Sequence, residues 1–220
     1  MLELEETHLQ QFLKAIHNVY GYDFTEYAEA SLKRRVLHYM ERNRNTSLQQ
    51  LQALLLSNDV LFEQFIRELS VTVTEMFRDP PFYQSLREKV IPRLATYPFI
   101  KIWIAGCATG EEVYSVAIVL KEAGLLNRSV IYATDINQRS LQLAAEGMFP
   151  LASMKSYTAN YQKSGGHEDF SMYYKANYDS ALFDKDLRKN IVFAPHNLAV
   201  DQSFNEFQLI VCRNVLIYFN

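Results

Sequence analysis

The stretch IKIWIAGCATGEEVYSV (residues 100–116) runs from a short apolar segment through a turn of small residues into helical spacing with no spacer between them. Residues 100–105 predict a strand and residues 111–123 a helix. Between them, Ala105, Gly106 and Gly110 let the backbone approach a bound ligand closely, because a Cβ at either glycine would crowd it. Working outward, residues 130–134 predict a second strand that ends in Thr134-Asp135, and residues 140–146 another helix. Strands resume at residues 191–194 and 208–212. Short apolar strands alternating with helices argue for a parallel sheet covered by helices, an α/β Rossmann-like domain. With four strands in hand at Asn220, the strands that would close such a sheet are expected to be missing.

Towards the N-terminus the period changes. Leu9, Phe12, Leu13, Ile16 and Tyr20, then Leu48, Leu51, Leu54 and Leu55, recur at helical spacing, and four helices fit residues 2–70 with no strand signal. Ser47 and Asp59 are the expected N-caps of the third and fourth helices. Residues 70–81, with β-branched residues ahead of Pro80 and Pro81, read as an interdomain linker whose proline pair starts the next helix. The expected organisation is a helical domain over 1–70, a linker over 71–82 and an α/β domain over 83–220. A polar, Tyr-rich stretch at 151–190, containing Ser164-Gly165-Gly166, reads as an inserted hairpin or small antiparallel β-subdomain.

Composition narrows the class. The 220 residues are 49% hydrophobic and 21% charged, with net charge −3. That is an ordinary globular balance with no overall field for nucleic acid or anionic membrane. The N-terminus lacks a basic region followed by an apolar run, and no stretch approaches the roughly 20 apolar residues of a membrane span, so a cytoplasmic protein is expected. Cys107 and Cys212 show neither metal-ligand spacing nor a disulfide framework; no metal is expected, and both read as core thiols.

The turn after the first strand bears on chemistry. Asp135 follows Gly110 by about 25 residues, where nucleotide-binding sheets place an acid on ribose hydroxyls. The Gly-x-Gly-x-x-Gly fingerprint is absent, since Ala108 stands where a glycine would admit a pyrophosphate, which disfavours a nicotinamide enzyme. A sulfonium cofactor has no phosphate to cradle, and carboxylates suit it better. Glu111 at the helix start fits a cofactor ammonium, and equally an ordinary acid complementing the helix dipole. A purely structural alternative stays open, in which Gly106 and Gly110 only make a tight turn and Asp135 caps the next helix.

Several motifs together resemble the chemotaxis receptor (CheR-type) methyltransferase family: TVTEMFRD (72–79), GCATGEEVYS (106–115), ATDI (133–136), Asn197-Leu198 and CRNVLIYF (212–219). The likeness covers nearly the whole chain. It departs from the family pattern at Thr72, often Asn, at Met76, often Phe, and at Val113, often Pro. The resemblance implies an S-adenosylmethionine-dependent protein-glutamate O-methyltransferase that forms glutamyl methyl esters on cytoplasmic helices of chemoreceptors. Carried over residue by residue, it implies that Ala105, Gly106, Glu111, Asp135, Ile136, Asn197, Leu198, Arg213 and Asn214 line the cofactor. It further implies that Thr72, Thr74 and Arg78 close over the cofactor and that Tyr218 lies near the transferring methyl.

A glutamate acceptor, with a reference pKa of about 4.3, is already ionised at neutral pH, so the missing general base is no objection. Arg78 and Tyr218 are the expected positioning groups. Lys33, Arg34, Arg35, Arg42 and Arg44 face one acid, Glu41, and form the expected surface for an acidic receptor helix. The resemblance implies a small β-subdomain that in some family members docks a receptor tail peptide; the insertion here holds Tyr157, Tyr161, Tyr173, Tyr174 and Tyr178, and whether it docks a peptide by strand addition stays open. A monomer is expected, with no nucleic-acid partner and no membrane insertion. The rival reading is a non-catalytic module that senses S-adenosylmethionine or scaffolds a signalling complex.

Overall fold

A computed structural model describes residues 6–24, 27–44, 47–69 and 74–218. The chain divides into two compact units, one of Met1–Thr72, Asn197–Gln202 and Asn214–Asn220, the other of Val73–His196 and Ser203–Arg213.

In the first unit, helices α1 (Glu6–Tyr20), α2 (Glu29–Arg42), α3 (Leu48–Ser57) and α4 (Asp59–Leu69) follow one another. Each presents an apolar stripe spaced three or four residues apart: Leu9, Phe12 and Ile16 on α1, Leu32, Val36, Tyr39 and Met40 on α2, Leu51 and Leu55 on α3, Phe62, Phe65 and Leu69 on α4. Phe65 meets Phe12 and Tyr39 edge-on, with centroids 5.7 and 5.0 Å apart. The Ser47 hydroxyl accepts from the Gln50 amide, as expected of an N-cap. The cap of α4 is Asn58, whose Oδ1 accepts from the Val60 and Leu61 amides. Asp59, the expected cap, instead occupies the first turn, where its charge complements the helix dipole.

The second unit opens with residues 74–79, expected as a connector. They are part of the packed body: Met76 and Phe77 are fully buried in its core, since two large apolar side chains would be costly to leave in water. Then come α5 (Pro80–Ser85), a π-helical turn (Leu86–Val90) and α6 (Ile91–Leu94). Pro92 has no amide to donate, and the preceding turn widens to accommodate it.

Strand β1 (Ile100–Ala105) leads into α7 (Glu111–Glu122). Next come β2 (Ser129–Asp135), α8 (Gln138–Glu146), β3 (Met148–Pro150), α9 (Met154–Lys163), β4 (Tyr174–Asn177), β5 (Ser180–Phe183), α10 (Lys185–Arg188), β6 (Ile191–Pro195) and β7 (Leu209–Val211). The main sheet is parallel with order β6-β2-β1-β7, as the alternating pattern predicts. Its inner face, Ile102, Ile104, Ile131, Ala133 and Val211, packs in one core with the buried face of α7. From β1 the chain adds β2 and β6 on one side and then crosses back to place β7 on the other. The strand order therefore reverses at β1, and the carboxyl ends of β1 and β7 form the crevice where such sheets bind ligands.

The insertion is an antiparallel sheet of order β3-β5-β4 with α9 beside it. Gly165 and Gly166 lie just beyond the end of α9 and are not the hairpin turn. That turn falls between β4 and β5, where Tyr178 takes φ 50°. Among the tyrosines of the insertion, Tyr157, Tyr161 and Tyr173 are buried and Tyr178 is exposed. Three aromatic rings are thus core, not docking surface. No described helix is long and apolar enough to cross a membrane.

Candidate functional site

The β1–α7 turn is shaped by what it packs against. Gly106, Ala108 and Gly110 all have positive φ, of 72°, 47° and 98°. The Gly106 and Cys107 amides both donate to the Thr134 carbonyl, at 2.8 and 2.9 Å, carrying the β1–β2 ladder past its last pair. A Cβ on Gly110 would lie 2.9 Å from the Ala144 Cβ of α8. At this glycine the close neighbour is therefore a helix.

Asp135 holds the other side of the turn. Its Oδ2 accepts from the Ala108 amide and its Oδ1 from the Asn137 amide, each at 2.8 Å. The cap of α8 is Asn137, which accepts from the Ser140 amide. This removes the alternative in which Asp135 served only as that cap. Burial pushes the Asp135 carboxyl upward in pKa, against the pull of the amides of Asn137, Ala108 and Ile136.

Two further carboxylates stand at the head of α7. Glu111 is 6% exposed and accepts from the Thr109 hydroxyl at 2.7 Å and, more loosely, from the Tyr157 hydroxyl of α9 at 3.4 Å. Burial raises its pKa, and hydrogen bonds from Thr109, Tyr157 and Thr74 offset part of the rise. Glu112 is likewise raised by burial and drawn back by the charges of Arg213 and Arg78. Glu112 is paired with Arg213, and Glu111 and Asp135, buried at one turn, suit a cation. This fits a ligand carrying a sulfonium and an ammonium, with hydroxyls for the acceptor sites that Asp135 keeps.

Arg78 is presented between two residues in left-handed backbone, Phe77 (φ 54°) and Asp79 (φ 58°). The Phe77 amide donates to the Ser115 hydroxyl at 2.9 Å, which itself donates to the Glu111 carbonyl at 2.7 Å. Across the loop, Arg213 gives Nη1 to Glu112 at 2.6 Å and Nη2 to Asp79 at 2.6 Å and to the Arg78 carbonyl at 3.1 Å, with its guanidinium 4.0 Å above the Phe82 ring. The resemblance places Arg213 on the cofactor; its side chain is instead committed to the loop that carries Arg78.

Thr74, Arg78, Ala105, Gly106, Glu111, Asp135, Ile136 and Arg213 therefore belong to one unit. Asn197, Leu198, Asn214 and Tyr218 are grouped with the helical unit. There Asn197 donates Nδ2 to the Asp23 carbonyl at 3.3 Å and accepts the Ala199 amide at Oδ1. Tyr218 ends a 3₁₀ turn (Leu216–Tyr218), and its side chain, like the whole of Thr72, lies outside the described residues. Of the basic group, Arg35 donates to the Leu69 carbonyl at 2.5 Å and Arg42 pairs loosely with Glu68 at 3.5 Å, while Arg34 and Arg44 are exposed and Lys33 is half-buried. Sequence reasoning missed Thr109, Glu112, Ser115 and Tyr157. The first three stand inside a quoted motif and carry a signal, whereas Tyr157 comes from the insertion and carries none.

A cavity of about 580 Å³ opens at the other end of α7, lined by Lys121, Glu122, Arg87 and Tyr173 among others. With a rise of about 1.5 Å per residue, the length of α7 separates it from Glu111.

A parallel sheet with an acidic turn at its strand-order reversal, and no phosphate-binding glycine pattern, suits a nucleoside cofactor that carries no phosphate. Residues 72–220 match the model of the CheR methyltransferase SAM-binding domain, and residues 7–70 that of the CheR methyltransferase all-alpha domain. The chain belongs to the CheR methyltransferase family, and S-adenosylmethionine is the methyl donor of its larger domain. It is 49% identical over 212 residues to the Pseudomonas putida protein named "Putative methyltransferase Cher3", covering 96% of this chain and 78% of that one. It is 30% identical over 219 residues to the chemotaxis protein methyltransferase of Listeria innocua, covering 99% and 80%. It is 34% identical over 164 residues to chemotaxis protein methyltransferase 2 of Vibrio cholerae, covering 70% and 54%.

Proposed function

We propose that this protein methylates glutamate side chains on the cytoplasmic helices of chemoreceptors, forming glutamyl methyl esters in chemotaxis signalling, and that it acts in the cytoplasm. The observation that carries the reading is the head of α7, where Glu111, Glu112 and Asp135 are deprived of water beside an Arg78 held on a strained loop.

S-adenosylmethionine supplies a methyl group already activated on sulfur. Glu111 accepts from the ammonium of the cofactor, and Thr109, Thr74 and Tyr157 fix the direction of its carboxylate. Asp135 spends one acceptor site of each oxygen on the turn and keeps others for ribose hydroxyls. Ala105, Gly106 and Ile136 supply backbone and small surface against which a nucleoside lies. Arg78 attracts the acceptor carboxylate and brings it into line. No residue needs to remove a proton, because the acceptor is ionised at neutral pH, and alignment with exclusion of water provides the acceleration.

The helical unit supports the substrate half of the reading. Arg34, Arg44 and Lys33 give it a basic surface suited to an acidic receptor helix, whereas Arg35 and Arg42 are engaged within the unit.

Incubation with methyl-labelled S-adenosylmethionine and chemoreceptor cytoplasmic fragments is expected to leave label on the receptor that mild base releases, as an ester requires. Cofactor binding by calorimetry without such label would overturn the enzyme reading in favour of a non-catalytic module.

A further inference from the structure

We infer that Arg213 is a positioning residue for Arg78, fixing the loop from which Arg78 works, and that its side chain does not bind the cofactor. The inference rests on the reading above, in which Arg78 serves methyl transfer.

Residues 77–79 cannot hold their shape unaided. Phe77 and Asp79 have positive φ with a Cβ present, a conformation that costs roughly 1–3 kcal/mol each and persists where the surroundings over-determine it. On the Phe77 side, the amide is tied to Ser115 and through it to the Glu111 carbonyl. On the Asp79 side the carbonyl takes the Phe82 amide at 2.9 Å, and the side-chain ties run to Arg213. One Nη2 group serves both the Asp79 carboxylate and the Arg78 carbonyl, Nη1 reaches Glu112 on α7, and the flat face rests on Phe82. The Arg213 side chain is 17% exposed and that of Glu112 16%, so this arm is largely withdrawn from water. The planar fork matters here, because a lysine ammonium cannot point at two carboxylates and a carbonyl in one plane while stacking on a ring.

Three side chains and a backbone carbonyl in direct contact with Arg213 leave it little to offer a ligand. What it does is join the head of α7, the end of β7 and the Arg78 loop. A shift of Arg78 by about 1 Å is enough to cost on the order of 100-fold in rate, so the residue that fixes its backbone carries weight without touching substrate.

The test is a double-mutant cycle on the full chain with Arg78→Ala and Arg213→Gln, reading kcat for transfer to a receptor fragment, the Kd of S-adenosylhomocysteine and thermal unfolding. In the parent background Arg213→Gln should lower kcat roughly 10- to 100-fold. In the Arg78→Ala background the same change should cost no more than about two-fold, while its effect on unfolding is the same in both. The product Kd should move by no more than about three-fold. Arg213→Lys should not restore kcat. Asp79→Asn opens the same ring from its exposed side and is the gentler change; it should lower kcat in the same sense and show the same dependence on Arg78. Equal losses from Arg213→Gln in both backgrounds, or a large rise in product Kd with kcat retained, overturn the inference. An Arg78→Ala variant with full activity overturns the reading on which it rests, and does so independently of anything measured at Arg213.

Discussion

Asp135 takes the Ala108 amide at 2.8 Å, so the acid expected to grip a ribose is also the clasp that shapes the turn beside it. Its two roles separate by substitution. Asp135→Ala strands two amides and should destabilise the cofactor-free protein by roughly 2–4 kcal/mol, since a hydrogen bond to a charged group contributes about 1.5–3 kcal/mol. Asp135→Asn keeps one acceptor and should cost about half as much, while weakening cofactor binding as severely as alanine does. Urea unfolding and calorimetry on the two variants, taken together, check both parts.

Glu111 predicts a pH dependence of definite sign. Burial raises its folded pKa above the ordinary 4.5, so the folded protein keeps the proton to higher pH than the unfolded chain. Stability therefore falls as pH rises through that interval, and the penalty is fully present above the folded value. Glu111→Gln lacks the penalty: it should melt higher than the parent near neutral pH, with the difference vanishing below about pH 4. The same variant should bind S-adenosylmethionine roughly 10- to 150-fold more weakly, the loss of one charged hydrogen bond. In the parent, affinity should decline as pH falls through the raised pKa. A variant that is both less stable and unchanged in affinity would refute the assignment.

Gly110 is required by packing. An alanine there meets Ala144 at 2.9 Å on a backbone of φ 98°, so Gly110→Ala should cost on the order of 2–3 kcal/mol, from strain and from α7 pushed away from α8. Thermal unfolding should show it with or without cofactor present.

The parallel sheet and the helical unit are legible in sequence because each rests on a period that few residues interrupt: strands of three to seven apolar-rich residues between helices, and Leu9, Phe12, Ile16 on one stripe. The places of Glu111 at the start of α7 and Asp135 at the end of β2 are legible because the strand-to-helix pattern fixes them. What escapes is whatever depends on contacts remote in sequence. Asn58 and Asp59 are equally good caps on paper, and the path of the chain into α4 decides between them. Composition cannot say which way the tyrosine rings of the insertion face; Tyr161 and Tyr173 face Glu122. The ion pair of Arg213 with Asp79 escapes because the two residues lie 134 positions apart.

Substrate capture by the basic surface predicts salt dependence. Because exposed charges are screened beyond about 8 Å at physiological ionic strength, kcat/KM for a receptor fragment should fall as salt rises, with product binding little affected. Arg34→Glu should lower kcat/KM more than Arg42→Glu, whose parent side chain already pairs with Glu68. Steady-state rates at two ionic strengths would settle the order.

Glu122 is the anchor of the insertion. Its carboxylate receives Arg87, the Tyr161 hydroxyl and, at 2.7 Å, the Tyr173 hydroxyl. Glu122→Ala leaves a largely buried arginine and two hydroxyls without their acceptor and should cost about 3 kcal/mol or more. Hydrogen exchange should then quicken in α9 and β4 before it does in β1 and β2.

The ring that closes on Arg78 joins residues made at very different moments of synthesis. A nascent chain that has emerged through β2 already owns the turn, Glu111 and Asp135, but Arg213 follows Asp79 by 134 residues. Until β7 has left the ribosome and taken its place beside β1, the Asp79 carboxylate and the Arg78 carbonyl lack their guanidinium partner, and the loop is held by the Phe77 amide and the Asp79 carbonyl alone. The turn and the loop beside it are thus completed in that order as the chain is made.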